Sequence, residues 1–165
     1  MSKIDDFVAK WQNKGYEDGE TQSFWADLLH DVCSIDEPNN IIEYQKRVEL
    51  DNKHKGKIDV YIPSTRVLIE QKSLGKSLIK AEPQSDGAEL TPFEQAKKYS
   101  DKGVGIDDKA RRIITCNFKE FYIYDMREPH PLPEIIELEN LSREYPKLQF
   151  LVNKDAIAPK ENTRA

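Results

Sequence analysis

Residues 57–72 read KIDVYIPSTRVLIEQK and place three charged side chains inside two apolar, strand-like runs. The first run carries Asp59, and the second ends with Glu70 and Lys72. Residues two apart in a strand share a face, so Glu70 and Lys72 point one way while Gln71 points the other. If the two runs pair across the turn between them, Asp59 lies beside Glu70.

Charges inside an apolar strand need partners, because an unpaired buried charge costs several kcal/mol. Two carboxylates and an ammonium at the edge of a sheet suit a hard divalent cation with a phosphate beside it. The stretch therefore predicts a metal-dependent nuclease centre. The alternative is an ion pair between Glu70 and Lys72 on an edge strand, since 33% of the residues are charged and this spacing also arises by chance.

Length and charge set the frame for this hypothesis. The 165 residues predict one domain over 1–152, with a polar tail or the start of a connector at 153–165. The net charge of -5 argues against strong unaided binding to nucleic acid, so we expect sequence specificity to come from elsewhere. Without an apolar run of membrane-spanning length or a secretory signal, a cytoplasmic protein with no membrane partner is expected. Cys33 and Cys116 are expected to be buried, reduced thiols.

Periodicity predicts an α/β fold, with a mixed β-sheet of about five strands flanked by helices. Thr91, Pro92 and Glu94 form a strong helix start, which accounts for Glu94 without a role in the site. Residues 73–90 are expected to be a long loop. The predicted helices cover about 4–14, 21–33, 91–102 (stopped by Gly103) and a brief one within 141–151, and the predicted strands cover 41–50, 57–62, 66–72, 111–117, 120–126 and 135–138.

Other polar residues are candidates for support of the centre. Gln95 and Tyr99 lie one helical turn apart and are placed to contact a phosphate or a flanking base, although the pair taken alone favours a core aromatic at Tyr99 and a solvated surface residue at Gln95. Glu20 and Gln22 are placed to reach the metal from the opposite wall, although solvated acids are common in a first helical turn. A groove that follows a phosphate backbone, or simply a solvated face, is predicted by a set of lysines: Lys53, Lys55, Lys57, Lys76 and Lys80.

Several motifs in order carry a family resemblance. Asp59 with Glu70-Gln71-Lys72, followed by Gln95-x-x-x-Tyr99, resembles the PD-(D/E)XK nuclease superfamily in its RecB-like form, with Ile58 in place of the proline. More narrowly, the chain resembles the N-terminal nuclease domain of MmeI-like (type IIG) restriction-modification enzymes over nearly all of residues 3–152. The segments that carry this likeness are GETQSFW (19–25), IEQKS (69–73), QSDG (84–87), LTPFEQA (90–96), TCNF (115–118) and FYIYD (121–125).

The resemblance implies a restriction-endonuclease-like fold and a reaction. Asp59 and Glu70 would bind Mg2+, or Mn2+ in its place, with the backbone carbonyl of Gln71 as a third ligand. A second metal that reaches Glu20 is an open alternative that the spacing does not support. Lys72 would steer and help to deprotonate a water, and cleavage would leave a 5′-phosphate and a 3′-hydroxyl. Contacts to DNA or support of the centre would fall to Gln95, Tyr99, Gln22 and Ser73.

The same resemblance implies partners beyond this chain. In the family, a methyltransferase that uses S-adenosylmethionine and a target-recognition domain follow in the same polypeptide, so we expect an excised or truncated domain that acts on DNA with those domains in cis or in trans. A transient dimer is expected for double-strand cleavage. Two alternatives stay open: a non-catalytic DNA-binding or interaction module with the nuclease fold, and a stand-alone repair or resolvase-type nuclease.

Overall fold

The computed structural model describes residues 2–50, 55–84, 87–102 and 109–153. Within these ranges none of the helices combines the length and the apolar character needed to cross a membrane. The helices are α1 (Lys3–Trp11), α2 (Glu17–Asp31), α3 (Pro92–Lys102) and α4 (Leu141–Glu144), with short 3-10 segments at Pro38–Asn40, Leu138–Asn140 and Tyr145–Leu151. The strands are β1 (Glu43–Glu49), β2 (Lys55–Ile62), β3 (Val67–Gln71), β4 (Glu82–Pro83), β5 (Glu89–Leu90), β6 (Arg112–Cys116), β7 (Glu120–Asp125) and β8 (Glu134–Glu137).

A mixed sheet organises the described residues, with six strands in the order β1-β2-β3-β6-β7-β8. Strands β1 to β3 form the antiparallel meander that the sequence predicts. Strands β3 and β6 are parallel, because the chain crosses between them through α3. The predicted α/β fold is confirmed, and all six of the predicted strands lie in this one sheet.

Helices cover both faces of this sheet. On one face α1, α2 and the C-terminal segment enclose an aromatic cluster with ring centroids 4.9–6.2 Å apart, made by Phe7, Trp11, Phe24, Trp25, Phe118 and Phe121. On the other face α3 packs Ala96 and Tyr99 against the sheet. Cys33 and Cys116 are buried and free, as predicted. Because helices cover both faces of the sheet, every residue of β3 is buried, including its polar residues.

The start of α2 differs from the sequence prediction. The helix begins at Glu17, four residues before the predicted Thr21. Gly19 therefore lies inside the helix rather than in a turn. The reason is local, because Glu20 Oε1 accepts a hydrogen bond at 3.1 Å from the backbone N–H of Tyr16 and satisfies a free donor at the helix start.

The link between α1 and α2 is fixed by a close backbone approach. Helix α1 ends at Trp11, three residues before the predicted Lys14. Gly15 has φ +142°, and a Cβ at this position would lie 2.1 Å from the ring of Phe118. Glycine is therefore required for the chain to pass over this ring.

The segment predicted as one long loop, 73–90, is partly ordered by pairing. Strands β4 and β5 form a small hairpin within it. The predicted start of α3 is confirmed, because Thr91 Oγ1 accepts from the N–H of Glu94 at 3.1 Å and Glu94 Oε1 accepts from the N–H of Thr91 at 2.9 Å. The predicted stop at Gly103 and the tail from residue 154 onward lie outside the described residues.

Candidate functional site

Strands β2 and β3 separate near the end of the sheet. Strand β2 pairs with β1 as far as Lys55, but its pairing with β3 covers Val60–Ile62. Beyond that point the N–H of Gln71 donates to Asp59 Oδ2 at 2.8 Å, a side-chain acceptor in the place of a strand carbonyl. The separation opens a cleft between the β1–β2 pair, the end of β3 and α3.

An irregularity in the β1–β2 pair lies at the same point. Ile58 packs in the cluster under α3, whereas Val60 packs in the cluster on the opposite face. A regular strand would place both on one face. Gln45 and Asp59 lie between the paired positions Tyr44–Val60 and Lys46–Ile58 and are not themselves paired in the register, and Gln45 has φ +50°. As in a β-bulge, this local distortion re-aims the Asp59 side chain toward β3.

The cleft has a volume of about 510 Å³ and is lined by both acidic and basic side chains. It brings together the three residues predicted to be catalytic and the predicted supporting pair Gln95 and Tyr99. Its lining consists of Glu17, Arg47, Lys55, Gly56, Lys57, Asp59, Glu70, Lys72, Gln95 and Tyr99.

Glu70 is the most unusual residue in the cleft, because it is a carboxylate with 4% of its surface exposed. Its Oε2 atom lies 3.3 Å from Lys72 Nζ. Its Oε1 atom is buried and has no hydrogen-bond partner among the described residues. Burial raises the pKa of Glu70 well above its usual value, and the nearby charge of Asp59 raises it further.

The pKa values of Asp59 and Lys72, which lie next to Glu70, are also shifted. Desolvation raises the pKa of Asp59 to about 6, although the N–H of Gln71 partly opposes this, and the charge of Glu17 adds to it. Burial alone would lower the pKa of Lys72, but the charge and hydrogen bond of Glu70 outweigh it, so the net shift is upward. Lys72 is therefore an ammonium at neutral pH.

A chain of polar contacts connects Lys72 to α3. Lys72 Nζ donates to Gln95 Oε1 at 3.3 Å, and Gln95 Nε2 donates to Tyr99 Oη at 3.1 Å. The Tyr99 ring packs so closely against Gly56 that a Cβ there would lie 2.5 Å from Cε1 of the ring. Gln95 and Tyr99 thus hold Lys72 on one side and the β1–β2 pair on the other.

The next residue of β3 faces the opposite side of the sheet, as the alternation predicts. Gln71 is fully buried, and its Oε1 accepts from Trp25 Nε1 at 2.7 Å. Its Nε2 donates to the carbonyl of Lys72 at 3.0 Å. Both polar atoms of the Gln71 side chain are therefore used in hydrogen bonds that stabilise the fold.

Three predicted residues lie outside the main cleft. Glu20 caps α2 through the N–H of Tyr16. Gln22 lines an adjoining pocket that shares Glu17 and Asp59 with the cleft. Ser73 Oγ accepts from the N–H of Glu17 at 3.0 Å, so it anchors the start of α2. These contacts give Glu20 and Ser73 structural tasks next to the site.

The predicted lysine groove is partly present. Lys55 and Lys57 line the cleft. Lys76 instead forms an ion pair within its own loop, and Lys80 is exposed outside the cleft lining. Lys53 lies outside the described residues.

Three charged residues near the site were not predicted from the sequence. Glu17 reaches the cleft because α2 starts early, and Arg47 does so because β1 places it directly opposite Lys57. Glu82 Oε1 lies 4.0 Å from Lys72 Nζ, because the β4–β5 hairpin turns back toward β3. The acidic residue Glu20, whose side chain reaches back to the N–H of Tyr16, is a local signal that could have revealed the early helix start and with it Glu17. The other two depend on strand pairing that no local pattern encodes.

The donor set of the cleft is small. Within the described residues no three or more His, Cys, Asp or Glu side chains are arranged to hold a metal ion. Asp59 and Glu70 supply two carboxylates, of which one oxygen is buried without a partner. This set fits Mg2+, which binds through one or two carboxylates and keeps several waters and substrate phosphates as its other ligands.

Comparison with known proteins identifies a family. The family model described as "MmeI, N-terminal domain" matches residues 2–164, and the chain belongs to this family. It is therefore a domain of a restriction-modification enzyme, as the motifs of the sequence indicated. No curated protein and no solved structure gives a significant match.

Proposed function

We propose that this chain is the metal-dependent DNA endonuclease domain of its restriction-modification enzyme, with a centre of the PD-(D/E)XK type. Family membership supports the setting, and one observation carries the chemistry. Glu70 Oε1 is buried without a partner beside Asp59, at the base of a cleft that opens to solvent. Leaving such a group unsatisfied costs about 1 to 3 kcal/mol or more, and a divalent cation is a group that would offset this cost.

Asp59, Glu70 and the backbone carbonyl of Gln71 would hold Mg2+, with Mn2+ as a substitute. When bound, the ion would polarise a phosphate oxygen and bring a water close to the phosphorus. Glu17 lies in the same cleft and would be the acid that reaches toward a second ion, the role predicted for Glu20.

Lys72 carries the next part of the mechanism. Water would attack phosphorus and release a proton to solvent, the bond between phosphorus and O3′ would break, and O3′ would take up a proton from solvent, so that the products are a 5′-phosphate and a 3′-hydroxyl. The Lys72 ammonium, held by Glu70 and Gln95, would donate a hydrogen bond to the incoming water or to a phosphate oxygen and offset the growing negative charge. Lys72 would help to deprotonate the water only in its neutral form, so that predicted role stays a prediction, and the raised pKa of Lys72 favours the charge-stabilising role.

A second function has an observation in its favour. Glu70 Oε2 already contacts Lys72, and Asp59 Oδ2 already accepts from Gln71, so part of the cluster is satisfied without a metal. A non-catalytic DNA-binding module with a structural ion-pair cluster would look similar. The two functions differ in whether DNA is cut.

Nicking of supercoiled plasmid tests the proposal. The wild-type chain should convert supercoiled to relaxed DNA with Mg2+ or Mn2+, and a chelator should stop the reaction. The Lys72→Ala variant should lose at least about 100-fold in rate, because a positioned charge in the transition state is removed. Lys119→Ala is the matched control, since this exposed lysine lies outside the cleft lining.

Two results would contradict the assignment. Nicking by Lys72→Ala at the wild-type rate would remove Lys72 from the mechanism. DNA that is bound but not cut by the wild-type chain under any of these metal conditions would favour the non-catalytic module.

A further inference from the structure

The outer part of the β1–β2 pair is a two-stranded ribbon that extends past the point where β2 leaves β3. Arg47 on β1 lies directly across from Lys57 on β2. Lys55 lies two residues from Lys57, so all three cations share one face. They form what we call the cationic ribbon: Arg47, Lys55 and Lys57.

The charges of the cationic ribbon are only partly neutralised by acids of the chain. All three side chains are exposed and line the cleft, and none of them forms an ion pair within the described ranges. Glu49 lies across from Lys55, and the charge of Lys57 acts on Asp59. Arg47 and Lys57, in contrast, are like charges directly opposite each other, so an anion bound beside this pair would relieve their repulsion.

The lining of the cleft carries both signs of charge. Glu70 comes from β3, Glu17 from α2 and Asp59 from β2, and the cationic ribbon lines the same cleft. We expect a bound nucleic acid to place its phosphates against the ribbon, because the acidic side chains repel phosphates except where a cation neutralises them. The whole chain has a net charge of -5, so the three cations of the ribbon form a local positive patch on an acidic protein.

Contacts with α3 fix the position of the ribbon. Gly56, between Lys55 and Lys57, faces α3, where its Cα packs against the Tyr99 ring with no room for a Cβ. Tyr99 in turn is hydrogen-bonded to Gln95, which contacts Lys72. The ribbon and the candidate catalytic residues are thus held by the same helix at a set separation.

We propose that the cationic ribbon binds the phosphate backbone of the cleaved DNA strand next to the scissile phosphate and so positions that strand. The inference rests on the proposed nuclease function and identifies the side of the cleft from which the strand enters. Because the ribbon touches phosphates away from the reacting atoms, it acts on substrate binding and on KM rather than on the chemical step.

The test compares two triple variants of equal charge. The ribbon variant carries Arg47→Gln, Lys55→Gln and Lys57→Gln, and the control carries Lys3→Gln, Lys14→Gln and Lys119→Gln at exposed positions outside the cleft lining. Binding of a fluorescein-labelled DNA duplex is followed by anisotropy over a range of salt concentrations, with Ca2+ in place of Mg2+ so that the duplex is not consumed. KM and kcat for cleavage are measured with Mg2+.

The ribbon variant should lower the slope of log affinity against log salt by about three, one for each phosphate contact removed. Its KM should rise at least about 10-fold with kcat nearly unchanged. The control triple should keep the wild-type slope and KM. Circular dichroism of both variants should match the wild type, since all six side chains are exposed.

Contrary outcomes separate the two proposals. If the wild type cuts DNA but the ribbon variant keeps the wild-type slope and KM, the ribbon inference is wrong and the proposed function stands. Equal losses in both triples would reduce the effect to net charge and overturn the inference. A wild-type chain that neither binds nor cuts DNA would overturn both.

Discussion

Glu70 and Gln71 are adjacent residues of one buried strand, and they face two different regions of the molecule. Gln71 faces the aromatic core, where its amide is paired with Trp25 and with the carbonyl of Lys72. Glu70 faces the cleft, where one of its oxygens has no partner among the described residues. Polar groups that are buried for the sake of the fold are normally paired. The unpaired oxygen therefore supports the proposal that this face of β3 serves function rather than stability.

The largest expected effect is on the satisfied face. Trp25 is fully buried, so Trp25→Ala should cost about 3 to 5 kcal/mol in the free energy of unfolding. Trp25→Phe should cost less, about 1 to 3 kcal/mol, because it keeps most of the volume but leaves Gln71 Oε1 unpaired. Urea unfolding measures both. A Phe variant as stable as the wild type would show that the bond to Gln71 contributes nothing.

The second prediction concerns the cleft face, where the burial of a charge costs stability as pH rises. The folded pKa of Asp59 is raised to about 6 from an ordinary value of 3.8, so its contribution to stability is fully present below about pH 4 and lost as pH rises through 6. Asp59→Asn keeps an acceptor for the N–H of Gln71 but cannot ionise. Without metal, this variant should gain on the wild type as pH rises from 4 to 7, by on the order of 2 to 3 kcal/mol.

Unfolding curves at several pH values, in the presence of a chelator, measure this difference. Added Mn2+ should stabilise the wild type and leave Asp59→Asn nearly unchanged, because the variant lacks one charged ligand. A stability difference that stays constant from pH 4 to 7 would contradict the raised pKa of Asp59.

A smaller effect concerns the contact that joins the two regions of the cleft. Gly56→Ala would place a Cβ against the Tyr99 ring and should cost about 1 to 3 kcal/mol, since the ring and the ribbon must move apart. Gly19→Ala is the matched control. Its Cβ would make an ordinary 3.6 Å contact inside α2, so this variant should gain about 0.5 to 1 kcal/mol.

Thermal unfolding of the two glycine variants checks the signs. Combining Gly56→Ala with Tyr99→Leu should recover part of the loss, because the smaller side chain makes room. If Gly56→Ala is as stable as the wild type, Tyr99 does not fix the position of the ribbon.

The sequence predicted the elements of the fold and the heart of the candidate site for a simple reason. Charges inside apolar strands are unusual enough to select Asp59, Glu70 and Lys72 as candidates without knowledge of the tertiary structure, and the family resemblance adds support to that choice. The cap at Thr91 and the alternation along β3 are also local patterns, and both are confirmed.

The rest of the site depends on contacts between distant segments. Arg47 enters the cleft through the register of β1 against β2, and Glu82 approaches Lys72 through a hairpin of two-residue strands. Glu17 was missed because Gly19 indicates a turn by itself, whereas here the cap at Glu20 extends the helix past it. The position of Glu17 is decided by the hydrogen bond at the start of α2 rather than by local propensity. The positions of Arg47 and Glu82 are decided by strand pairing.

The central claim is that Asp59 and Glu70 form a site for a divalent cation. Calorimetric titration of Mn2+ into the wild-type chain and into Glu70→Gln tests it most directly, because the substitution changes the charge of Glu70 but little of its shape. We expect saturable Mn2+ binding by the wild type and none detectable in Glu70→Gln, with both proteins folded by circular dichroism. Equal Mn2+ affinity in the two proteins, or no binding by either, would contradict the account.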